Sequence, residues 1–359
     1  MAERVTVIGA GLTGLLLGLL SVRAGHRVTV VDSGLHPGEP RGLMAAPAAV
    51  QQELQYHHVW RWAGTPALQA YAEQVRLGQD LVVAAADDIG VPVHRSDMAT
   101  VTTDGMEAFW LRYEVQAMRA AGLDPEFTDA GGLPLTTRPQ LLSPDQPVVD
   151  VTAFRDGLLA AFQSSGGEVA YAAPDDAGTG WVVSTTPEPV FDRAGIRARL
   201  RPATWNWVEF TADPDAMPQR SMSDLDDGGR VLTVAGDRAW LGSRNAPGLD
   251  WLVRHIDGVT VRNQWQATTT ATLDARPFVG AVGHPAHRRL VACGFDCWEI
   301  TLGAAAAVQL LGVISGRDDA TLPWQPLRAP RPAAVARAAW GRVRHGLKIH
   351  PVTPFPRRG

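Results

Sequence analysis

Three glycines and one aspartate carry the most chemical information in this chain. Gly9-Ala10-Gly11-Leu12-Thr13-Gly14 follows the apolar run Val5-Thr6-Val7-Ile8, and Asp32 stands eighteen residues after Gly14, closing a second apolar run, Val28 to Val31. This spacing serves the capture of a dinucleotide. Gly9 lets the chain turn tightly out of a strand, Gly11 lets a pyrophosphate approach the backbone, and Gly14 lets the next helix pack closely on the sheet. The helix amino terminus then offers unpaired N–H groups and the positive end of its dipole to the phosphates. Asp32, with Ser33 beside it, is placed to hydrogen-bond a ribose hydroxyl. Strand, glycine turn, helix through Leu15 to Gly25, strand and acid occur in register, which makes a βαβ unit rather than an isolated glycine pattern.

Composition bounds the rest. At 359 residues the chain suggests two domains, and 45% hydrophobic with 19% charged residues is the balance of an ordinary water-soluble protein. The longest apolar stretch read from the sequence, Leu12 to Val22, is short for a membrane span and belongs to the glycine-motif helix. The start, MAERVTVIGAG, runs directly into a strand, so a cytoplasmic protein without a membrane partner is expected. Cys293 and Cys297 make neither a disulfide framework nor a four-ligand metal site, and their spacing reads as two small buried hydrophobes rather than a redox pair. Residues 328–359 hold eight of the 33 Lys and Arg and no acid, a basic C-terminal tail strapped to an acidic body. Its charges are too sparse to imply nucleic acid. Lys348 is the only lysine.

Along the chain, a Gly- and Pro-rich loop over 33–47 precedes helical periodicity over 48–86, broken at Gly64-Thr65-Pro66. Strand-like alternation over 91–103 is followed by helices over 107–121 and 152–164, then a strand at Gly166 to Val169 and another at Trp181 to Thr186. Residues 204–242 alternate as antiparallel β, and a strand at 290–295 leads into a helix over 301–314 closed by Gly316. Parallel α/β signals at both ends bracket antiparallel β in the middle. The nucleotide domain is therefore expected to be assembled from non-contiguous segments, beside an antiparallel-sheet α+β domain.

The carboxyl-terminal segment decides which nucleotide enzyme this is. Trp265, Asp274 nine residues on, Arg276-Pro277-Phe278-Val279-Gly280, and then Ala292-Cys293-Gly294-Phe295-Asp296-Cys297-Trp298-Glu299-Ile300-Thr301-Leu302-Gly303 resemble the closing motif of FAD-dependent oxidoreductases of the D-amino-acid oxidase and glycine oxidase superfamily. The best-matching branch has a motif resembling GFxxWGMTxG; its appended Rieske domain is not expected here, since the sequence has no CxH pair. The resemblance implies a Rossmann-type FAD-binding domain from 1–47, 145–190 and 260–327, a substrate domain from 48–144 and 191–259, and the tail 328–359. A strand ending at Gly294 and a helix opening near Thr301 aim a second positive dipole end at the flavin, where the reduced ring carries negative charge.

By the same resemblance, Gly9, Gly11, Leu12, Thr13, Gly14, Asp32, Ser33, Arg41, Gly42, Leu43, Met44, Val169, Thr185, Gly294, Trp298, Ile300 and Thr301 contact FAD, and Trp205, Trp207, Trp240 and Arg244 face the substrate. No cysteine lies near Thr272 or Asp274, so the FAD is expected to be non-covalent. Thr269 stands where glycine oxidase-like members carry an arginine that clamps the substrate carboxylate, which points to an amine lacking a free carboxylate unless Arg244 or Arg276 serves instead. The superfamily's oxygen-activating lysine has no counterpart outside the tail, leaving the electron acceptor open between dioxygen and another species. Glu299 stands where the branch has glycine; it either opposes the charge of reduced flavin or turns outward. Candidate proton acceptors or catalytic groups are His57, His58, Glu209, Trp298 and Glu299, and no metal is called for. The leading expectation is an enzyme that dehydrogenates a C–N bond of a small amine-containing metabolite. The alternative is a flavoprotein acting on another bond in biosynthesis, or one whose FAD is structural in a redox-neutral or partner-binding role.

Overall fold

The computed structural model describes residues 2–34, 37–128, 133, 140–171, 180–192, 195–226, 229–244, 248–274, 276–317 and 324–328. The tail beyond Arg328, with Lys348, lies outside the described residues. The chain opens as the glycine spacing requires, with β1 (Arg4–Ile8), α1 (Leu12–Arg23) and β2 (Arg27–Asp32). A long helix, α2 (Gln55–Asp88), is interrupted where Gly64 adopts φ 82° and ψ 178° just before Pro66, the break expected from the sequence. Then come β3 (Val93–Val101), α3 (Gly105–Ala120), β4 (Glu126–Thr128), β5 (Gln140–Val149), α4 (Val151–Ser164), β6 (Glu168–Tyr171) and β7 (Trp181–Ser184). Asp150 caps α4 by accepting from the backbone N–H groups of Thr152 and Ala153. The remainder is β8 (Leu200–Thr211), β9 (Ser221–Asp224), β10 (Arg230–Ala235), β11 (Arg238–Ser243), α5 (Leu249–His255), β12 (Thr260–Thr272), β13 (Phe278–Ala281), β14 (Arg289–Cys293) and α6 (Glu299–Ile314).

Two sheets result. The first has strand order β13-β14-β7-β1-β2-β6, parallel except for the β13–β14 pair. The second has order β12-β8-β11-β10-β9-β3-β5-β4 and is antiparallel except for β3 beside β9. The class is the mixed α/β arrangement expected, with one mostly parallel sheet drawn from distant parts of the chain. Sheet membership differs from the expected domain division at two segments. The long strand Thr260–Thr272, which opens the expected nucleotide-domain segment 260–327, and the strand Gln140–Val149, which straddles the expected boundary at 145, both belong to the eight-stranded sheet. Pairing decides this: all of β12 runs against β8, broken by one bulge between Val261 and Asn263.

The second correction concerns α6. Together with the turn before it, Asp296–Ile314 is 19 residues of mean hydropathy 1.6, long and apolar enough to cross a membrane, although 78% of that stretch is buried inside the fold. Its apolarity is accounted for by two close crossings. A Cβ on Gly303 would fall 2.1 Å from Thr13 Oγ1 of α1, and one on Gly78 of α2 would fall 2.0 Å from the Thr301 carbonyl oxygen. Helix α6 is thus wedged between α1 and α2 and buried apart from Glu299 and a partly exposed stripe at Val308, Leu311 and Gly312. This packing brings α1 and α6, far apart in sequence, together over the parallel sheet.

Candidate active site

A cleft of about 380 Å³ runs across the carboxyl ends of β1, β2, β7 and β14, where open α/β sheets bind ligands. Gly9, Gly11, Asp32, Arg41, Gly42, Leu43, Thr185, Gly294 and Glu299 line it together with residues of β12. The glycines behave as their spacing predicts. Gly9 takes φ 108°, and a Cβ on Gly14 would lie 1.9 Å from the Gly9 carbonyl oxygen. A Cβ on Gly11 would meet only Glu299 Oε1, at 3.3 Å, so the backbone there is open to a ligand. Thr185 locks the turn by donating its hydroxyl toward the Ile8 and Gly9 carbonyls at 3.0 and 3.1 Å. Asp32 accepts from the Ala10 N–H on one oxygen and from the Gly34 N–H on the other, both at 2.7 Å, which fixes its carboxylate at the rim with lone pairs to spare for a ribose hydroxyl.

Leu12, Thr13, Gly14, Met44, Val169, Trp298, Ile300 and Thr301 do not line this cleft. All but Val169 are buried behind it, and Val169 sits on the edge strand β6 opposite Val30. Ser33 is exposed. Arg155 lines the cleft and was not anticipated: its side chain is almost wholly buried and paired with Asp156 at 2.7 Å. The signal lay in the helix pattern, where Arg155 shares the buried stripe of Val151, Phe154, Leu158, Leu159 and Phe162. An arginine placed among core residues asks for a ligand or an ion-pair reason.

Glu299 does not turn outward. Its carboxylate turns back onto the amino terminus of α1, where the Thr13 hydroxyl donates to Oε1 at 3.1 Å. Burial raises its pKa above the usual 4.5, while bonds from the Thr13 hydroxyl and backbone N–H pull it back. A carboxylate of this chain therefore shares the donors that a pyrophosphate would use.

The second sheet turns a tryptophan-rich face to this region. Trp205 stacks on Trp207 (centroids 5.9 Å) and Trp207 on Trp265 (6.1 Å), with the Trp265 indole N–H bonded to the Leu43 carbonyl. Trp205, Trp207 and Trp240 are buried and absent from the cleft wall, which corrects the expectation that they contact substrate directly; stacking and the overlying Arg238 consume their surfaces. Glu209 is likewise removed from chemistry. Arg238 pairs with it through Nε at 3.0 Å, and Asn263 donates to its other oxygen at 2.7 Å. Trp298 is buried at the start of α6 rather than facing the cleft.

His57 and His58 lie at the amino end of α2, away from the cleft. The His57 ring packs at 5.6 Å from both Trp110 and Tyr113 of α3, and its backbone N–H, with that of Tyr56, is capped by Glu114. Proton acceptance by either histidine has no support from this placement. Arg276 is committed to Asp274 at 2.9 Å, and Asp274 is shared with Arg328. Cys293 and Cys297 are both buried and free; burial pushes the Cys293 thiol up to about 12. A larger depression, about 600 Å³ between Gln79 and Asp87 of α2 and the segment 90–95, lies away from the strand ends.

Three charged residues converge where the loop after β14 meets the second sheet. Arg244 Nη2 donates to Asp296 Oδ2 at 2.6 Å, its guanidinium lies 4.9 Å from the Trp205 ring centre, and the Trp205 indole N–H donates to Asp296 Oδ1 at 3.1 Å. Glu53 completes the group: burial raises its carboxyl to about 7, against the pull of Arg244 and with the push of Asp296. Asp296 and Glu53 have φ of 53° and 55°, conformations uncommon for residues with a side chain. Neither was singled out from sequence, because nothing local marks them.

A mostly parallel sheet with a glycine cradle at the carboxyl ends of its strands, beside a second, mostly antiparallel sheet, is the architecture of a dinucleotide-binding protein. Residues 4–201, more than half the chain, match the family described as FAD dependent oxidoreductase (DAO), and the chain belongs to that family. FAD is its cofactor, and the open backbone at Gly11, the carboxylate of Asp32 and the Gly294–Glu299 loop fit that group. Among solved structures the chain is similar to glycine oxidase from Geobacillus kaustophilus (TM-score 0.71, 16% identity, 92% of this chain and 100% of that one). It is also similar to L-amino acid deaminase from Proteus vulgaris (0.68, 14%, 92% and 95%) and L-proline dehydrogenase from P. horikoshii (0.66, 13%, 91% and 97%). A curated relative from Bacillus subtilis (strain 168), "Putative Rieske 2Fe-2S iron-sulfur protein YhfW", is 18% identical over 91% of this chain and 70% of its own length.

Proposed function

We propose that this oxidoreductase dehydrogenates a C–N bond of a small amine-containing metabolite, with non-covalent FAD as the immediate acceptor of the hydride. The observation that carries the reading is the meeting of the β1 glycine turn, Gly294, Phe295 and Glu299, and β12 around one cleft, with the Arg244–Asp296 pair beside its wall. FAD supplies a two-electron acceptor. The chain must hold the amine with its α C–H against that acceptor, keep the nitrogen neutral and exclude bulk water. Loss of the hydride from carbon and of a proton from nitrogen leaves an imine, which water hydrolyses. The names of the structural neighbours, glycine oxidase, L-proline dehydrogenase and L-amino acid deaminase, support an amine or amino acid as substrate.

The test is anaerobic mixing of the FAD-loaded protein with amines, with and without carboxylates, while the flavin absorbance is followed. Bleaching by an amine supports the reading, and admitting air then shows whether dioxygen reoxidises the flavin. Absence of bleaching across a broad amine panel would move the assignment to oxidation of another bond or to a structural flavin.

A further inference from the structure

We propose that Asp296 determines specificity by occupying, as an internal carboxylate, the clamp formed by Arg244 and Trp205, so that the site rejects α-amino acids and accepts amines without a carboxylate. The inference rests on the amine-dehydrogenation reading above and narrows it to a substrate class.

The arrangement around Asp296 has the chemistry of a carboxylate receptor. One oxygen takes a charge-assisted bond from the Arg244 guanidinium at 2.6 Å and the other takes the Trp205 indole N–H at 3.1 Å. Substrate carboxylates are held by such donor pairs, but here the chain itself supplies the anion. The backbone holds Asp296 in place at some conformational cost, since its φ of 53° lies in the left-handed region. The Thr269 hydroxyl secures the loop by donating to the Asp296 carbonyl oxygen at 2.9 Å. Thr269 occupies the position at which the family resemblance would put a clamping arginine, so one side chain both removes that clamp and fixes the residue that fills the other.

The pair adjoins the place where a substrate must enter. Gly294, Phe295 and Glu299 on either side of Asp296, and Thr269 itself, line the cleft. Arg244 Nε is buried and has no hydrogen-bond partner among the described residues, which leaves the guanidinium with a donor to spare once Asp296 is removed. Charge points the same way. Glu53 faces the pair, and with both acids ionised Arg244 is outnumbered, so a second carboxylate meets net repulsion whereas an ammonium group is attracted. Asp224, the remaining acid in range of Glu53, is already paired with Arg230.

The experiment titrates FAD-loaded protein with benzoate and with acetate and reads the shift of the flavin absorption bands, which needs no turnover. Wild type is expected to show no saturable shift. Asp296→Ala frees both donors and is expected to bind these carboxylates about 10- to 100-fold more tightly, the range of one charge-assisted hydrogen bond. Asp296→Ser serves if the alanine variant does not fold. Adding Arg244→Met is expected to abolish the gain. Carboxylate affinity unchanged in a folded, FAD-loaded Asp296 variant would overturn the proposal, as would a gain that survives loss of Arg244. The two readings fail separately. If amines lacking a carboxylate bleach the flavin but no gain is seen, the clamp alone falls; if the gain is seen but no amine bleaches the flavin, the reaction falls and the clamp stands.

Discussion

Replacing Glu299 by glutamine is expected to tighten FAD binding and to remove its pH dependence. The Glu299 carboxylate sits 3.1 Å from the Thr13 hydroxyl and 3.3 Å from the point where a Cβ of Gly11 would be, on the backbone that a pyrophosphate must approach. A phosphate charge entering there would stand on the order of 5 Å from the carboxylate. At an effective dielectric constant of about 20 each such pair of like charges costs roughly 3 kcal/mol, or about two orders of magnitude in affinity. The protein can avoid that cost by protonating Glu299, whose pKa burial already raises. The sign follows from linkage. FAD raises the carboxyl pKa further, so the complex holds a proton that the free protein releases, and affinity falls as pH rises above the free protein's value by up to about tenfold per pH unit. Glu299→Gln keeps the hydrogen bond to Thr13 and loses the charge. The assay is titration of FAD into flavin-free protein, followed by quenching of flavin fluorescence, at pH values from about 5.5 to 9. Equal pH slopes in wild type and variant would refute the reasoning, and so would weaker binding by the variant at every pH.

Gly14→Ala sets a Cβ 1.9 Å from the Gly9 carbonyl oxygen, so α1 must lift from the turn; loss of bound FAD and a destabilisation of about 1–3 kcal/mol in chemical denaturation are expected. Glu114 is fully buried and its carboxyl is raised to about 8, mainly by burial. The folded state therefore holds a proton that the unfolded chain releases above about pH 4.5, and stability falls as pH rises toward 8. Urea unfolding across that window should show Glu114→Gln removing up to about 1.4 kcal/mol per pH unit of the slope, with Glu53 adding a fall of the same sign up to about pH 7. Arg328→Ala leaves Asp274 with Arg276 as its remaining cation; Arg328 holds it by two bonds of 2.8 Å and, with Arg276, keeps it far below the normal carboxylate range. A loss of about 1.5–3 kcal/mol is expected, and because a lowered pKa stabilises only above the unfolded value, the loss should shrink as pH falls through the carboxylate range.

The parts of this protein legible in sequence are those whose physics is local. The β1–α1–β2 unit is fixed by glycine spacing and two apolar runs, and the break in α2 by Gly64 before Pro66. The strand β5 was hidden because Pro144 and Pro147 interrupt its apolar pattern, with Asp145 between them at φ 56°. The strand β12 was hidden because it is an edge strand, with polar residues on its exposed positions. Site residues divide in the same way. Gly9, Gly11 and Asp32 are placed by the contiguous β1–α1–β2 unit that their own spacing specifies, whereas the fate of His57 was decided by Trp110 and Tyr113 on another helix and that of Glu209 by Arg238 on another strand. Glu53 and Asp296 acquire meaning only through Arg244, a residue far from both in sequence.

One electrostatic device recurs on the turn between β14 and α6. An anion site on the amino terminus of α1 is met by Glu299, and an anion site on Arg244 and Trp205 is met by Asp296, three residues earlier on the same turn. Each acid satisfies donors that would otherwise be left in a partly buried, poorly solvated place, which favours the fold before any ligand arrives. The consequences differ because the ligands differ. FAD bound with its phosphates at the first site would have to share it, so Glu299 would give up charge or affinity there. A substrate without a carboxylate makes no claim on the second, so Asp296 stays, and the clamp that would select an amino acid instead fixes the loop against the sheet. The turn between β14 and α6 thereby couples how the cofactor is held to which amines can approach it.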